Sequence, residues 1–386
     1  MKSLLEILIV DHVSTLGGAE FSLEGLVRSM PQEKYRYTVA LPSPGPLEER
    51  LREKDIPVDI IPVESWRWWT RTIDQQLKFW LLFPLQLVSL GRWVKYLWKK
   101  KPGIIHININ RLVEPVIAAH IVGIPVVMHF RDIPSQMSYR FVLGKKGFYW
   151  LMNLANYWIA NSHTTGHDIR PFCKRSVEVI PNAIDLIHFD TNSHNGKTVH
   201  QDFPHKVAMI AGLVPWKNHY EYIELAKKVL VIRDDVEFLI VGTGQKEYTS
   251  YLKKLAEDLE LSGRLKFMGF IENVPSLLKN IAILIHTTTL ESFGRVFIEA
   301  MAARRPVVAF NSGGASEIVV DGETGLLVPP GDLDAMAAAV SQLLDDPISC
   351  RRMGESGRKR VEEYYLLDKH CQAVTKVYDK LLASEY

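Results

Sequence analysis

The stretch from His286 to Val320, HTTTLESFGRVFIEAMAARRPVVAFNSGGASEIVV, holds a polar turn and a helix start, with two glutamates, Glu291 and Glu299, eight residues apart. The apolar run Ile281–Ile285 before it reads as a strand. Gly294 lets the backbone approach a ligand before the helix carrying Phe297, Ile298, Ala300 and Met301 begins. The first amides of a helix lack internal partners and sit at its positive dipole end, so they suit an anion. Were the whole interval helical, the two carboxylates would lie about 12 Å apart at roughly 1.5 Å per residue. A glycosidase acid/nucleophile pair needs roughly 5–9.5 Å, so that chemistry is disfavoured. Two carboxylates flanking anion-binding amides suit an elongated ligand with hydroxyls at both ends and phosphates between, the shape of a nucleotide sugar. A buried strand–turn–helix unit whose glutamates only cap or pair is the plainer alternative, and the neighbouring blocks weigh against it.

Those blocks run from Glu291-Ser292-Phe293-Gly294 to Glu299-Ala300-Met301-Ala302, then Pro306–Ala309, then Gly313-Gly314-Ala315-Ser316-Glu317-Ile318-Val319, then Asp321–Asp332. Together they resemble the retaining GT-B glycosyltransferases of the family 4 group (group 1 type). Leu16-Gly17-Gly18-Ala19-Glu20 after the strand Ile7–Val10 resembles that family's first glycine loop. Val179–Asp185, with Ala183 where glycine is usual, Val241-Gly242-Thr243-Gly244-Gln245 and Phe267-Met268-Gly269-Phe270 carry the likeness, more thinly, across nearly the whole chain.

The resemblance implies an α/β chain of GT-B type, two Rossmann-like domains with parallel sheets facing across a cleft. It implies a nucleotide-sugar donor held mostly by the second domain. Glu299 would hold ribose hydroxyls, Lys217 and the amides around Ser292, Phe293 and Gly294 the diphosphate, and Glu291 the sugar hydroxyls. Gly242 and Phe270 would lie near the base, Gly17 and Gly18 would close over the phosphates, and His129 would face the donor sugar. Transfer would proceed with retention, without cofactor or metal, the leaving phosphate taking the acceptor proton. The acceptor would be a glycan or lipid-linked saccharide, most naturally in surface polysaccharide assembly. Two positions depart from the family pattern. Gly212 stands where an arginine usually accompanies Lys217, and Arg304-Arg305 stands where a glycine usually ends the helix, which an arginine tolerates if the cap is not left-handed. The missing arginine keeps open a non-catalytic sugar-nucleotide-binding partner of another transferase. A phosphorylase or epimerase on the same fold is the rival within enzymes.

Length and composition agree with two globular domains. The chain has 386 residues, 47% hydrophobic and 23% charged, enough apolar content for sizeable cores. Its cysteines, Cys173, Cys350 and Cys371, are scattered, which disfavours a disulfide framework or zinc site and suits a reducing cytoplasm. Met1–Val10 is interrupted by Glu6 and reads as a first strand, not a secretory signal. Short β-rich runs alternate with longer helical ones, the pattern of parallel sheets with helical crossovers. The first set of strands is Ile7–Val10, Tyr37–Leu41, Ile104–Ile109, Pro125–His129, Tyr157–Ala160 and Val177–Ile180. The second is Lys206–Ile210, Phe238–Val241, Leu265–Met268, Ile281–Ile285, Pro306–Ala309 and Leu326–Val328. We expect a first domain over 1–189, a polar linker over 190–204 and a second domain over 205–364. By the resemblance, a terminal helix beginning near Glu362 and occupying about 365–386 returns to the first domain.

Ligands of doubly wound sheets lie beyond the carboxyl ends of the strands, which places His129, at the end of its run, among the candidates. His106 within its strand reads as structural. Asp332-Leu333-Asp334 is the one Asp-x-Asp string, and its setting between Pro329-Pro330-Gly331 and Ala335–Val340 makes Asp332 a helix N-cap, so no metal is implied.

Residues 64–101 hold six of the nine tryptophans and eight Lys/Arg against two acids. The apolar run Phe79–Gly91 contains Pro84 and is too short for a bilayer span, which takes about 20 residues. Aromatics interleaved with cations suit a helix pair lying on a membrane surface, and equally a pair of amphipathic helices packed on the first domain. Residues 1–200 carry 24 Lys/Arg and 18 Asp/Glu, net +6, whereas 201–386 carry 22 and 26, net −4. A basic first half leans towards the membrane or an anionic acceptor. With an overall charge of only +2 and no recognised binding module, nucleic acid is not expected.

Overall fold

The computed structural model describes residues 4–63, 68–70, 72–136, 140–190 and 205–383. The chain divides into two compact units, Met1–Asn182 with Leu367–Tyr386, and Ala183–Leu366. The sequence places the linker at 190–204, which from residue 191 onward lies outside the described residues. The short helix Ile187–Asp190 before it belongs to the second unit.

The first unit is built on a seven-stranded parallel sheet in the order β3-β2-β1-β5-β6-β8-β9. Its strands are β1 (Leu5–Val10), β2 (Tyr35–Leu41), β3 (Val58–Ile60), β5 (Ile104–Ile107), β6 (Val126–Phe130), β8 (Tyr157–Ala160) and β9 (Val177–Val179). Between them β4 (Trp69–Thr70) and β7 (Arg140–Phe141) form a small antiparallel ladder. The sequence reading missed β3, β4 and β7, whose two or three residues are too short to show a period. The central strands are apolar without alternation because both faces of the sheet are covered. On β1, Leu8 and Val10 join a core with Trp93 and Leu97, while Ile7 and Ile9 join another with Val374 and Tyr378.

Those last two residues belong to the helix Leu367–Ala383. The single terminal helix expected from Glu362 is in fact two: Pro347–Tyr364 stays with the second unit, and the chain crosses at Leu366 before the helix that completes the first.

The second unit has a six-stranded parallel sheet in the order β12-β11-β10-β13-β14-β15. Its strands are β10 (Lys206–Ile210), β11 (Glu237–Val241), β12 (Leu265–Gly269), β13 (Ile283–His286), β14 (Val307–Phe310) and β15 (Gly325–Val328). In each sheet the strand order reverses beside the first strand of its unit, so a crevice opens at the carboxyl ends of β1 and β5 in one and of β10 and β13 in the other.

Candidate active site

In the second unit, the loops leaving β10 and β13 bring together the two residues singled out from distant parts of the sequence. Lys217 ends the short 3-10 turn Pro215–Lys217, and its Nζ donates to Glu291 Oε2 at 2.5 Å. The loops are fastened by hydroxyls as well as by that ion pair. Thr288 Oγ1 donates to the Lys217 carbonyl at 3.1 Å and Thr287 Oγ1 to that of Asn218 at 2.8 Å, while Asn218 Nδ2 donates to the Thr287 carbonyl at 3.2 Å. Below them, the buried His286 imidazole lies with Nε2 3.9 Å from Glu291 Oε2 and its ring edge-on to Phe297. Burial, then the Lys217 charge, drives the His286 pKa well below its ordinary value, so the ring is neutral.

After Glu291, Gly294 takes a left-handed conformation at φ 88° and the helix Arg295–Ala302 begins. Phe293 is buried with its ring edge-on to Tyr365. Glu299 lies two turns of chain further on, on this helix, where Arg295 Nε donates to its Oε1 at 2.7 Å. The Glu291 loop is buttressed from behind: Gly314 N–H donates to the Glu291 carbonyl at 2.8 Å, and a Cβ at Gly314 would collide with the Phe293 carbonyl. Sequence reading treated the Gly313-Gly314 pair as part of a family string; its physical task here is close backbone support of the loop.

Gly242, at φ 139°, presses on the Ala211 carbonyl, and Leu213 N–H donates to the Thr243 carbonyl, so the loops after β10 and β11 are zipped together. A Cβ at Gly212 would meet the Thr243 carbonyl at 3.9 Å, an ordinary contact distance. Phe270 is exposed after β12. Arg304 corrects the sequence expectation: it sits at φ 57°, in the left-handed region normally left to glycine, with its carbonyl pressed by Gly354. Asp332 caps its helix by accepting from Ala335 N–H at 2.9 Å.

In the first unit, the carboxyl ends of β1, β5 and β6 carry a buried polar network that the sequence reading did not assemble. Asp11 accepts from the His12 backbone N–H at 2.6 Å and from Asn108 Nδ2 at 2.6 Å, with His12 Nδ1 2.9 Å away. Arg131 donates from Nη2 to Asn108 Oδ1 at 2.8 Å and from Nη1 to Asn182 Oδ1 at 2.5 Å. Gly17 caps the helix Gly18–Ser29, and Glu20 in its first turn approaches Asp11 and His12, the three offering donor atoms within 4.8 Å of one another. Burial works against the Asp11 carboxylate, but hydrogen bonds and charge from His12, with the Asn108 amide, outweigh it and lower its pKa. Glu20 moves the other way: burial, then the Asp11 charge, pushes it up to about 7.

His129 lies inside β6, not at its end, and is wholly buried. Its Nδ1 meets His106 Nε2 at 3.3 Å, and its ring stacks towards His370 of the terminal helix. Burial, then the Arg131 charge, holds it neutral.

Comparison with known proteins gives two family matches along the chain, "Glycosyltransferase Family 4" over residues 16–187 and "Glycosyl transferases group 1" over 190–360. A GDP-mannose-dependent monoacylated alpha-(1-6)-phosphatidylinositol monomannoside mannosyltransferase of Corynebacterium glutamicum is 34% identical over 200 residues, 48% of this chain and 51% of that protein. Alpha-1,3/1,6-mannosyltransferase ALG2 of Dictyostelium discoideum is 35% identical over 39% of this chain and 37% of its own length. The chain thus matches about half or less of the length of these relatives. Among solved structures, Anabaena HepE in complex with UDP and glucose superposes with a TM-score of 0.81 at 23% identity, over 97% of this chain and 100% of that one.

Proposed function

The chain belongs to the group 1, family 4 glycosyltransferases of GT-B fold, and on that premise we propose that it moves a sugar with retention from a nucleotide sugar to a membrane-linked saccharide acceptor. The observation that carries this reading is the convergence of Lys217, Glu291 and the amide-bearing start of the helix Arg295–Ala302 at the carboxyl ends of β10 and β13. A cation and helix-end amides there suit a diphosphate, and the adjoining carboxylates Glu291 and Glu299 suit the hydroxyls of sugar and ribose. Lys217 would neutralise the leaving phosphate, with Ser292, Phe293 and Gly294 supplying backbone donors. Gly242 and Phe270 would flank the base.

The leaving phosphate would take the acceptor proton on the face it departs from, so the protein supplies position and charge in place of a nucleophile. In this scheme the charge that a metal ion would supply comes from Lys217 and the amides. The Corynebacterium relative, named for a phosphatidylinositol mannoside acceptor, supports a lipid-linked acceptor met at the cytoplasmic face of a membrane.

The family arginine missing at Gly212 favours a second reading, a sugar-nucleotide-binding partner without turnover. One experiment separates the two. Purified protein is incubated with UDP-, GDP- and ADP-sugars in EDTA, and release of nucleoside diphosphate is followed with the anomeric configuration of the product sugar by NMR. Slow metal-independent hydrolysis or transfer with retention supports the transferase. Binding without any turnover supports the partner.

A further inference from the structure

A helix laid on a protein core in water turns its apolar stripe inward and its polar face out. The first half of the helix Phe83–Lys100 does the reverse. Gln86 and Ser89 are 2% and 1% exposed, and their side-chain polar atoms have no hydrogen-bond partner among the described residues. Trp93 continues that inward stripe, fully buried, with its Nε1 likewise unpartnered among them. The outward residues are Leu85, Leu87 and Val88, the last 61% exposed. The preceding helix, Ile73–Leu81, extends the outward apolar surface with Leu77, Trp80 and Leu81 at 60%, 52% and 79%. Beneath the bend, Trp68 stacks on Phe141 and meets Phe79 and Phe83, so the pair is anchored by its own aromatic cluster.

Past Gly91 the outward face changes character. Arg92, Lys95 and Lys99 are exposed, Trp98 stands out among them, and no acid occurs from Gln75 to Lys101. An apolar half followed by a cationic half bordered by tryptophan matches the layers of a bilayer surface, acyl boundary then anionic headgroups. A second copy of the chain fits worse, since a two-fold contact would set this all-cationic band near its own image. No helix among the described residues is long and apolar enough to cross a membrane, so the pair would lie on the surface.

We propose that the helix pair 73–100 docks the chain on an anionic lipid bilayer, with Leu77, Trp80, Leu81, Leu85 and Val88 entering the interface and Arg92, Lys95 and Lys99 on the headgroups. The inference rests on the membrane-linked reading of the acceptor for its purpose, and adds the face that docks and the lipid charge it selects. Its geometry does not depend on sugar transfer.

Flotation of the full chain with vesicles tests it, using phosphatidylcholine alone and phosphatidylcholine with about 30% phosphatidylglycerol, a surface negative enough to attract juxtamembrane cations. The wild-type chain should float with the anionic vesicles and weakly or not at all with the neutral ones. Leu81→Glu/Val88→Glu should cut the bound fraction about tenfold, and Arg92→Glu/Lys95→Glu/Lys99→Glu should erase the preference for anionic lipid. Circular dichroism melting checks that each variant folds, and the thermal shift with nucleotide is read on the same preparations. A nucleotide shift that survives while flotation is lost in the variants supports docking separately from the transferase reading. No flotation of wild-type protein, or equal flotation of Leu81→Glu/Val88→Glu, overturns the proposal. So does a concentration-dependent dimer that the same pair of substitutions abolishes without any vesicle binding.

Discussion

If Lys217 serves the diphosphate and Glu291 the sugar, then the ion pair they make with one another competes with the donor for both. Glu291→Gln isolates that competition. The pair is close, Nζ to Oε2 2.5 Å, and only partly exposed, the side chains being 21% and 12% accessible. A charge-assisted hydrogen bond in such a setting contributes about 1–2 kcal/mol net, more than a surface pair and less than a buried one. A free nucleoside diphosphate engages Lys217 but offers Glu291 no hydroxyl, so it bears that cost without recompense. Relieving it should tighten diphosphate binding about 5- to 30-fold in the variant, at 1.4 kcal/mol per factor of ten. The intact sugar nucleotide loses its carboxylate partner at the same time, so transfer should collapse while product affinity rises. Isothermal titration of the cognate nucleoside diphosphate into wild-type, Glu291→Gln, Lys217→Met and doubly substituted protein measures this. Lys217→Met should weaken binding, and adding Glu291→Gln to it should restore nothing. The gain should also shrink with added salt. Unchanged or weaker diphosphate binding in Glu291→Gln would refute the idea that the two residues restrain one another.

Four further outcomes follow from individual residues. Glu299→Ala removes the proposed ribose acceptor, so KM for the donor should rise about 10- to 100-fold with kcat less affected, and a pure kcat loss would remove Glu299 from the ribose. Gly212→Arg, at a position where a Cβ makes only an ordinary 3.9 Å contact, adds a second cation near the proposed diphosphate site and should lower donor KM about 3- to 10-fold in initial rates, and an unchanged or raised KM would contradict it. Arg304→Gly relieves a left-handed arginine but gives up an exposed ion pair with Glu355, for a net gain of about 0–1 kcal/mol and a rise in melting temperature of about 1–3 °C; a clear fall would show that the conformation is unstrained. Glu20, with its carboxyl pushed up to about 7, favours the fold fully below its ordinary value of 4.5, and that contribution fades as pH rises through 7. Urea melts from about pH 5 to 8 should therefore show wild-type protein losing about 2–3 kcal/mol more stability than Glu20→Gln, and parallel curves would deny the burial of a titrating carboxyl.

Much of the architecture was legible because parallel strands covered on both faces are continuous apolar runs, and β8 and β10 fall on the residues expected from sequence. The loop from Glu291 to Glu299 was legible because its pieces are neighbours in the chain. What spans long intervals was not. No local period signals such meetings: in the sequence Lys217 and Glu291, 74 residues apart, are joined only through the family resemblance, and Asp11 with Asn108, 97 apart, and Arg131 with Asn182, 51 apart, are not joined at all. Around His129 the limit is narrower: the strand runs to Phe130, one residue past its expected end, so the histidine falls within β6. The helix Phe83–Lys100 shows another limit, since periodicity reveals that two faces exist without revealing which one the core receives.

The helix Leu367–Ala383 also bears on how the molecule is made. Val374 and Tyr378 are wholly buried in the core shared with β1, so the unit begun first at the ribosome is finished last. Between its two parts stand the 184 residues from Ala183 to Leu366, which take about 10–40 s to synthesise at roughly 5–20 residues per second. During that interval the core around Ile7 and Ile9 has its early helical residues such as Leu23 and Leu26 but still lacks Val374 and Tyr378, while the later unit emerges whole and can fold at once. Nascent chains arrested before residue 367 should therefore hold chaperones that chains extended past Ala383 release.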